Sequence, residues 1–476
     1  MQVKKNKYRL LISNILVFAS GNALSKLILF LMMPLYTTAL QPEQYSTAEL
    51  ANNTAELLIP IVSLCLGEAI FRFSINDDYD KGVLISESFF LIIKILAAIC
   101  AAALLYQVIF YYRHMWYMVC IVSTYIFRQL FGQFTRGLGR SRAFAVGGII
   151  NTLTLCGFNV LFLIYFKWGV EGYLLSIILS SLLASLFFVF TSYAPKHISF
   201  KNKDKRLLKN MLVFSLPLIP TFTSWWVTFL TGRYTILWFS GAAAAGLYIA
   251  ASKLPAVINL LSTTFNYAWQ FSSSKEINED KSGSFFSNVF KLYFCFITLA
   301  TSALVLLSPF ISKIFLRNDF YAGWVYIPML LLTATTSCYA SFFSAFYTAS
   351  MKTRSYMNST IAGAVVNAAV CLALVPFFGV YGALAAGFIS YFLVTVFRMK
   401  DTEKYARVSF NLPVTGLCFF ILTSQCVVMT FGSKLPIIVS GALFCVLAAI
   451  VLLFARREII RGLKTITVRF RKSGLS

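Results

Sequence analysis

Of the 476 residues, 59% are apolar and only 12% are charged, against roughly 45–50% and about 25% in a soluble domain. That balance excludes an ordinary water-soluble enzyme. Unbroken apolar runs of about twenty residues, without ten-residue alternation, also exclude an outer-membrane barrel. The 41 Lys and Arg outnumber the 17 Asp and Glu, giving a net charge of +24, but the cations lie in short clusters between apolar runs. A nucleic-acid face would gather them with aromatics on one solvated surface, so no nucleic-acid partner is expected.

The opening MQVKKNKYR followed by LLISNILVF has the layout of a secretory signal. Its apolar pattern continues to Leu40, however, too far for a signal core, and predicts a first, uncleaved span. At about twenty apolar residues per span, fourteen helices are predicted, at roughly 10–39, 46–71, 83–110, 114–135, 143–166, 169–194, 208–238, 241–271, 285–311, 321–349, 356–376, 379–397, 410–430 and 435–455. Thirty Lys and Arg then fall on the side of the two termini and five on the other, Arg113, Lys167, Lys313, Arg317 and Lys434. By the positive-inside rule both termini are cytoplasmic. All ten cysteines lie within apolar stretches without metal-ligand or redox spacing, so neither a disulfide framework nor a metal site is expected.

The chain also resembles itself. GVEGYLLSIILS at 169–180 matches GVYGALAAGFIS at 379–390 at an offset of 210, SRAF at 141–144 corresponds to TRSY at 353–356, and each is followed by an Asn, Asn159 or Asn367. NILVF at 14–18 similarly resembles NMLVF at 210–214. Six helices per unit is an even number, so the copies enter the membrane from the same side as parallel repeats, with a cleft expected between them. The expected organisation is an N-terminal lobe over 1–200, a C-terminal lobe over 201–400, and two appended helices with a basic tail over 401–476. The basic segment 195–209 reads as a cytoplasmic linker facing anionic lipid.

No nucleotide-binding loop, paired catalytic His or GxSxG elbow occurs, and the outer loops are short, so neither catalysis nor a cofactor is expected. The informative residues are cations inside predicted spans: Lys26, Lys94, Arg128, Arg233, Lys253 and Lys291. Each costs about 2.5–3.5 kcal/mol at mid-bilayer unless water, a counter-ion or a ligand offsets it. Lys26, Arg128 and Lys253 are the better candidates for a hydrated cleft, whereas Arg233 and Lys291 lie near span ends and can snorkel. Glu49 and Glu56, seven residues apart on one helix face, could neutralise such cations or carry a coupling proton or sodium ion. Glu68 and Arg72 are spaced for an i,i+4 ion pair. Pro34, Pro217, Pro220 and Pro255 interrupt helices near the start of each half and are hinge candidates.

PLYTTALQPEQYSTAEL at 34–50, GEAIFRFS at 67–74, SRAF with its Asn helix, and the paired GVEG and GVYG resemble bacterial polysaccharide repeat-unit flippases of the Wzx type. Their superfamily also contains multidrug and toxic-compound extruders and the lipid II flippase. Gln44-Tyr45-Ser46 departs from the usual Tyr-Gly of the family. The resemblance implies an extruder-like all-α fold in the bacterial cytoplasmic membrane. It implies transport of an undecaprenyl-pyrophosphate-linked oligosaccharide from inner to outer leaflet, with a polysaccharide polymerase as a possible partner. It places the cationic substrate site at Lys26, Arg128, Arg233 and Lys253. A cation-coupled drug exporter or a lipid II flippase on the same fold, and a membrane glycosyltransferase, are the alternatives.

Overall fold

The computed structural model describes residues 30–75, 79–199, 204–276, 283–350, 352–404, 408–409, 411–432 and 436–472. Among them the chain is helical throughout, without a strand. Its contacts divide it into two compact units, one ending at Gly246 and the other beginning at Leu247.

The first unit contains α1 (Met33–Ala39), α2 (Pro42–Val62), α3 (Leu66–Ser74), α4 (Lys81–Ile109), α5 (Met115–Gly137), α6 (Ser141–Asn159), α7 (Gly169–Ser192), the short α8 (Ala194–His197) and α9 (Lys205–Ser215). α10 (Ile219–Ala251) crosses from the first unit to the second and is split at Gly241, whose φ of 88° only glycine adopts freely. That break is the expected turn between the seventh and eighth predicted spans. The second unit continues with α11 (Ala256–Glu276), α12 (Ser284–Phe315), α13 (Ile327–Ala349), α14 (Thr353–Phe378), α15 (Val380–Thr402), α16 (Leu412–Phe431) and α17 (Pro436–Lys472).

Ten described helices are long and apolar enough to cross a membrane, or eleven if α2 and α3 form one bent span. The protein is therefore a multi-pass membrane protein. Of the fourteen predicted spans, the first lies mostly outside the described residues. α5 and α11 are continuous helices of 23 and 21 residues that fall short on hydropathy because they carry Arg128, Gln129 and Gln133, and Asn259, Ser262 and Asn266.

The proline positions coincide with breaks. Pro34 follows a turn at Met32, Pro217 lies in a 3-10 segment between α9 and α10, and Ser252–Pro255 forms a turn before α11. A further break was not expected. Pro60 has no N–H to offer the Glu56 carbonyl one turn back; Leu64 and Cys65 then adopt φ of 50° and 53°, and α2 meets α3 at a 53° bend. The bend turns Glu68 toward α5, where it accepts a hydrogen bond from Gln133 at 3.1 Å. Arg72 is exposed, so the Glu68–Arg72 pair inferred from spacing does not form.

The internal repeat has a packing counterpart. α7 packs on α5 and α6 in the first unit, and α15 packs on α13 and α14 in the second. Gly169 and Gly379 both take positive φ, +59° and +55°, at the turns that open α7 and α15. Gly172 and Gly382, three residues on, are where backbones close up. A Cβ on Gly382 would lie 2.6 Å from the carbonyl carbon of Leu374, and one on Gly172 would lie 3.1 Å from Phe162 Cβ. Gly382→Ala is accordingly expected to destabilise the protein by about 1–3 kcal/mol and Gly172→Ala by less, as read from thermal unfolding in detergent.

In the second unit α16 and α17 pack on each other and on α12. Their contact is built around Gln425, which is fully buried. It accepts from the Ser302 hydroxyl and donates to Ser440 Oγ at 3.0 Å and the Ser302 carbonyl at 3.2 Å. Interhelical bonds of this type contribute about 1–2 kcal/mol in model peptides. Gln425→Leu should lower unfolding free energy by about that much, as read from thermal unfolding in detergent.

Candidate functional site

In the first unit, α2 is the spine of a polar cluster because Tyr45, Glu49, Asn52, Asn53 and Glu56 recur at helical spacing along one stripe. Its helix begins well: Pro42 occupies the first turn, and Gln44 returns its side chain to the Gln41 amide at 3.1 Å. Glu49, only 4% exposed, accepts from the Tyr45 hydroxyl at 3.1 Å, the Tyr173 hydroxyl at 2.9 Å and the Asn53 amide at 3.3 Å. Its second oxygen lies 3.8 Å from Arg233 Nη1. Arg233 is 2% exposed, and its guanidinium also sits 3.9 Å from the Phe229 ring centroid. It is thus committed to a buried ion pair and does not snorkel.

Tyr36 packs beside Tyr45 and Tyr173 with ring centroids 6.1 and 5.2 Å away, and receives a hydrogen bond from Asn159 at 3.2 Å. This gives the repeat asparagine of the first half a role. Two turns beyond Glu49 on α2, Glu56 accepts from Asn52 at 3.1 Å and from the Tyr125 hydroxyl at 3.4 Å. The Tyr125 ring carries Arg128, whose Cζ is 4.7 Å from its centroid. Thr54 is hydrogen-bonded to Tyr234 of α10. Together these contacts join α2 to α5, α7 and α10, with Arg128, half-buried, at one end.

The remaining predicted cations are dispersed. Lys253 lies in the second unit, half-buried in the Ser252–Pro255 turn, where the interrupted helix leaves backbone carbonyls without their usual partners. Lys26 lies outside the described residues. Lys94 is exposed on α4. Lys291 stacks on Phe454 at 4.2 Å. Arg398 was not expected inside a helix bundle, because it ends an apolar run and counts among the flanking cations. It is 6% exposed and donates to Ser359 Oγ at 3.0 Å, the Ala340 carbonyl at 3.1 Å and Thr360 Oγ1 at 2.9 Å. These neutral acceptors tie α13, α14 and α15 together.

A family model described as "Polysaccharide biosynthesis protein" matches residues 11–269, more than half of the 476-residue chain. The chain belongs to the polysaccharide biosynthesis protein family. The matched part of this family member includes the whole α2 network and Lys253. None of the curated proteins compared with it matches in sequence. Among solved structures, it is similar to the lipid II flippase MurJ in an inward closed conformation, at 13% identity and a TM-score of 0.69, covering 93% of this chain and 100% of that one. An inward-facing multidrug resistance transporter of the MATE family and MOP superfamily is similar at 13% identity and a TM-score of 0.61, covering 80% and 98%. A MOP-superfamily transporter from Pyrococcus furiosus, described as having a binding pocket of reverse polarity, aligns at 13% identity and a TM-score of 0.53, covering 84% and 96%. At these identities the likeness shows a shared fold, the all-α architecture expected from the sequence.

Proposed function

We propose that this polysaccharide biosynthesis protein is a flippase that carries a polyprenyl-pyrophosphate-linked oligosaccharide from the inner to the outer leaflet of the bacterial cytoplasmic membrane by alternating access. The observation that carries the reading is the presence of cations within a membrane fold of this family, Arg128 on Tyr125 and Lys253 at the α10–α11 break. Attraction between a diphosphate and a guanidinium or ammonium group grows as the dielectric falls, and the planar fork of Arg suits phosphate oxygens. A site for cationic drugs would need the opposite polarity.

Arg128 and Lys253 are assigned to the pyrophosphate. Arg233 joins them in states where its pair with Glu49 opens. Glu49 balances Arg233, which leaves half-buried Glu56 as the better coupling-ion position. Pro34, Pro217, Pro220 and Pro255 are assigned as hinges because each marks a helix break, and Lys26 is retained as a substrate contact on sequence grounds alone. Both termini face the cytoplasm on the charge distribution. Transport of lipid II is a second reading, favoured by the fold likeness to MurJ across 93% of this chain. Native mass spectrometry of the purified protein with polyprenyl-pyrophosphate oligosaccharide, lipid II and a cationic dye tests these readings. Retention of the oligosaccharide lipid in preference to the dye is expected; retention of the dye alone would overturn the proposal.

A further inference from the structure

An apolar groove of about 480 Å³ runs along the first unit between α4, α5 and α7, a volume within the roughly 300–1,000 Å³ of ligand pockets. Phe89, Phe127 and Phe131 line it, their ring centroids 6.0, 6.1 and 6.2 Å apart. Thr124 is among the few polar residues in the lining, and its hydroxyl is turned back to the Cys120 carbonyl at 2.9 Å. The groove therefore offers carbon to an occupant.

Pro195 and Ile198, in the segment that leaves α7, also line the groove, and that segment carries cations beside its lining residues. Arg140 Cζ and Lys196 Nζ lie 5.1 and 5.3 Å from the Tyr193 ring centroid, and all three side chains are exposed. Arg140 is further fixed by donating to the Thr191 carbonyl. The segment itself is fastened to α4. Ser86 Oγ accepts from the Ser199 amide at 3.0 Å, and Glu87 accepts from the Asp204 amide at 2.8 Å.

A groove of phenylalanines with two exposed cations on the segment that helps line it has the chemistry of one hydrocarbon chain under one phosphate. We propose that it is a resident site for an anionic glycerophospholipid of the cytoplasmic leaflet, with an acyl chain over Phe127 and Phe131 and its phosphate at Arg140 and Lys196. The inference goes beyond the transport reading and rests on it only for which leaflet is cytoplasmic. The charge pattern selects an anionic headgroup, and a volume of about 480 Å³ favours the acyl chain of a membrane lipid over a long polyprenyl chain. The bound lipid would sit against residues 193–199, next to their hydrogen bond with α4 at Ser86.

The test is native mass spectrometry of the full chain extracted from membranes, followed by titration with phosphatidylglycerol and phosphatidylethanolamine. The wild type should retain phosphatidylglycerol and prefer it on titration. Arg140→Gln with Lys196→Gln, both at exposed positions, should reduce that preference about 30-fold, from two contributions of about 1 kcal/mol each. Ser185→Trp should fill the groove and remove the adduct. Equal retention of both lipids by the wild type, an unchanged preference in the doubly substituted protein, or recovery of a polyprenyl phosphate as the bound species would each overturn the proposal. None of these results depends on transport, so failure here is separable from failure of the flippase reading.

Discussion

Glu49→Ala is expected to lower the unfolding free energy by about 3–5 kcal/mol, the typical cost of leaving one member of a buried ion pair uncompensated. The reason is specific to this network. Arg233 has 2% exposure, so water solvates its charge poorly. Tyr45, Tyr173 and Asn53 donate to the same carboxylate and lose their acceptor together. Substituting both charges, Glu49→Leu with Arg233→Met, should recover most of the loss, because apolar replacements of buried pairs are commonly neutral or stabilising. Unfolding in a detergent titration measures all three proteins. If the single and double substitutions destabilise equally, the pair is not what holds α2 to α10.

Arg128→Ala should leave protein level and thermal stability near wild type and slow oligosaccharide translocation roughly 10- to 100-fold. That range corresponds to the loss of one charged hydrogen bond of about 1.5–3 kcal/mol. The side chain stacks on Tyr125, so its removal deletes a cation without opening a core cavity. Lys253→Ala should behave similarly, and Lys94→Ala, at an exposed position, should change little. Export of surface polysaccharide in cells lacking their own flippase, with protein level measured in parallel, reads all three. Normal export by the Arg128 and Lys253 variants would remove both residues from the substrate site.

The helices were legible in the sequence because hydrophobic burial in a bilayer demands long apolar runs. The repeat was legible because its marker glycines answer backbone needs: the turns at Gly169 and Gly379 require positive φ, and Gly172 and Gly382 sit at close backbone approach. The pairing of side chains was less accessible. Glu49 and Arg233 are 184 positions apart, and nothing local to either indicates that α10 brings the guanidinium to α2. Spacing alone suggested Glu68 with Arg72, but Pro60 and the left-handed residues Leu64 and Cys65 reset the direction of α3. Pro60 itself was readable, since it follows Glu56 by four residues within a predicted span. Arg398 was hidden because a cation at the end of an apolar run looks the same whether it reaches water or folds back onto Ser359 and Thr360.

The most direct test of the account is transport by the purified protein in liposomes containing a fluorescent polyprenyl-pyrophosphate oligosaccharide, with leaflet location read by a membrane-impermeant quencher. The account predicts that the wild type equilibrates or concentrates the lipid across the bilayer and that Arg128→Ala does so far more slowly. Quenching that never exceeds protein-free liposomes, with or without a proton or sodium gradient, while the same preparation expels a cationic dye, would contradict it.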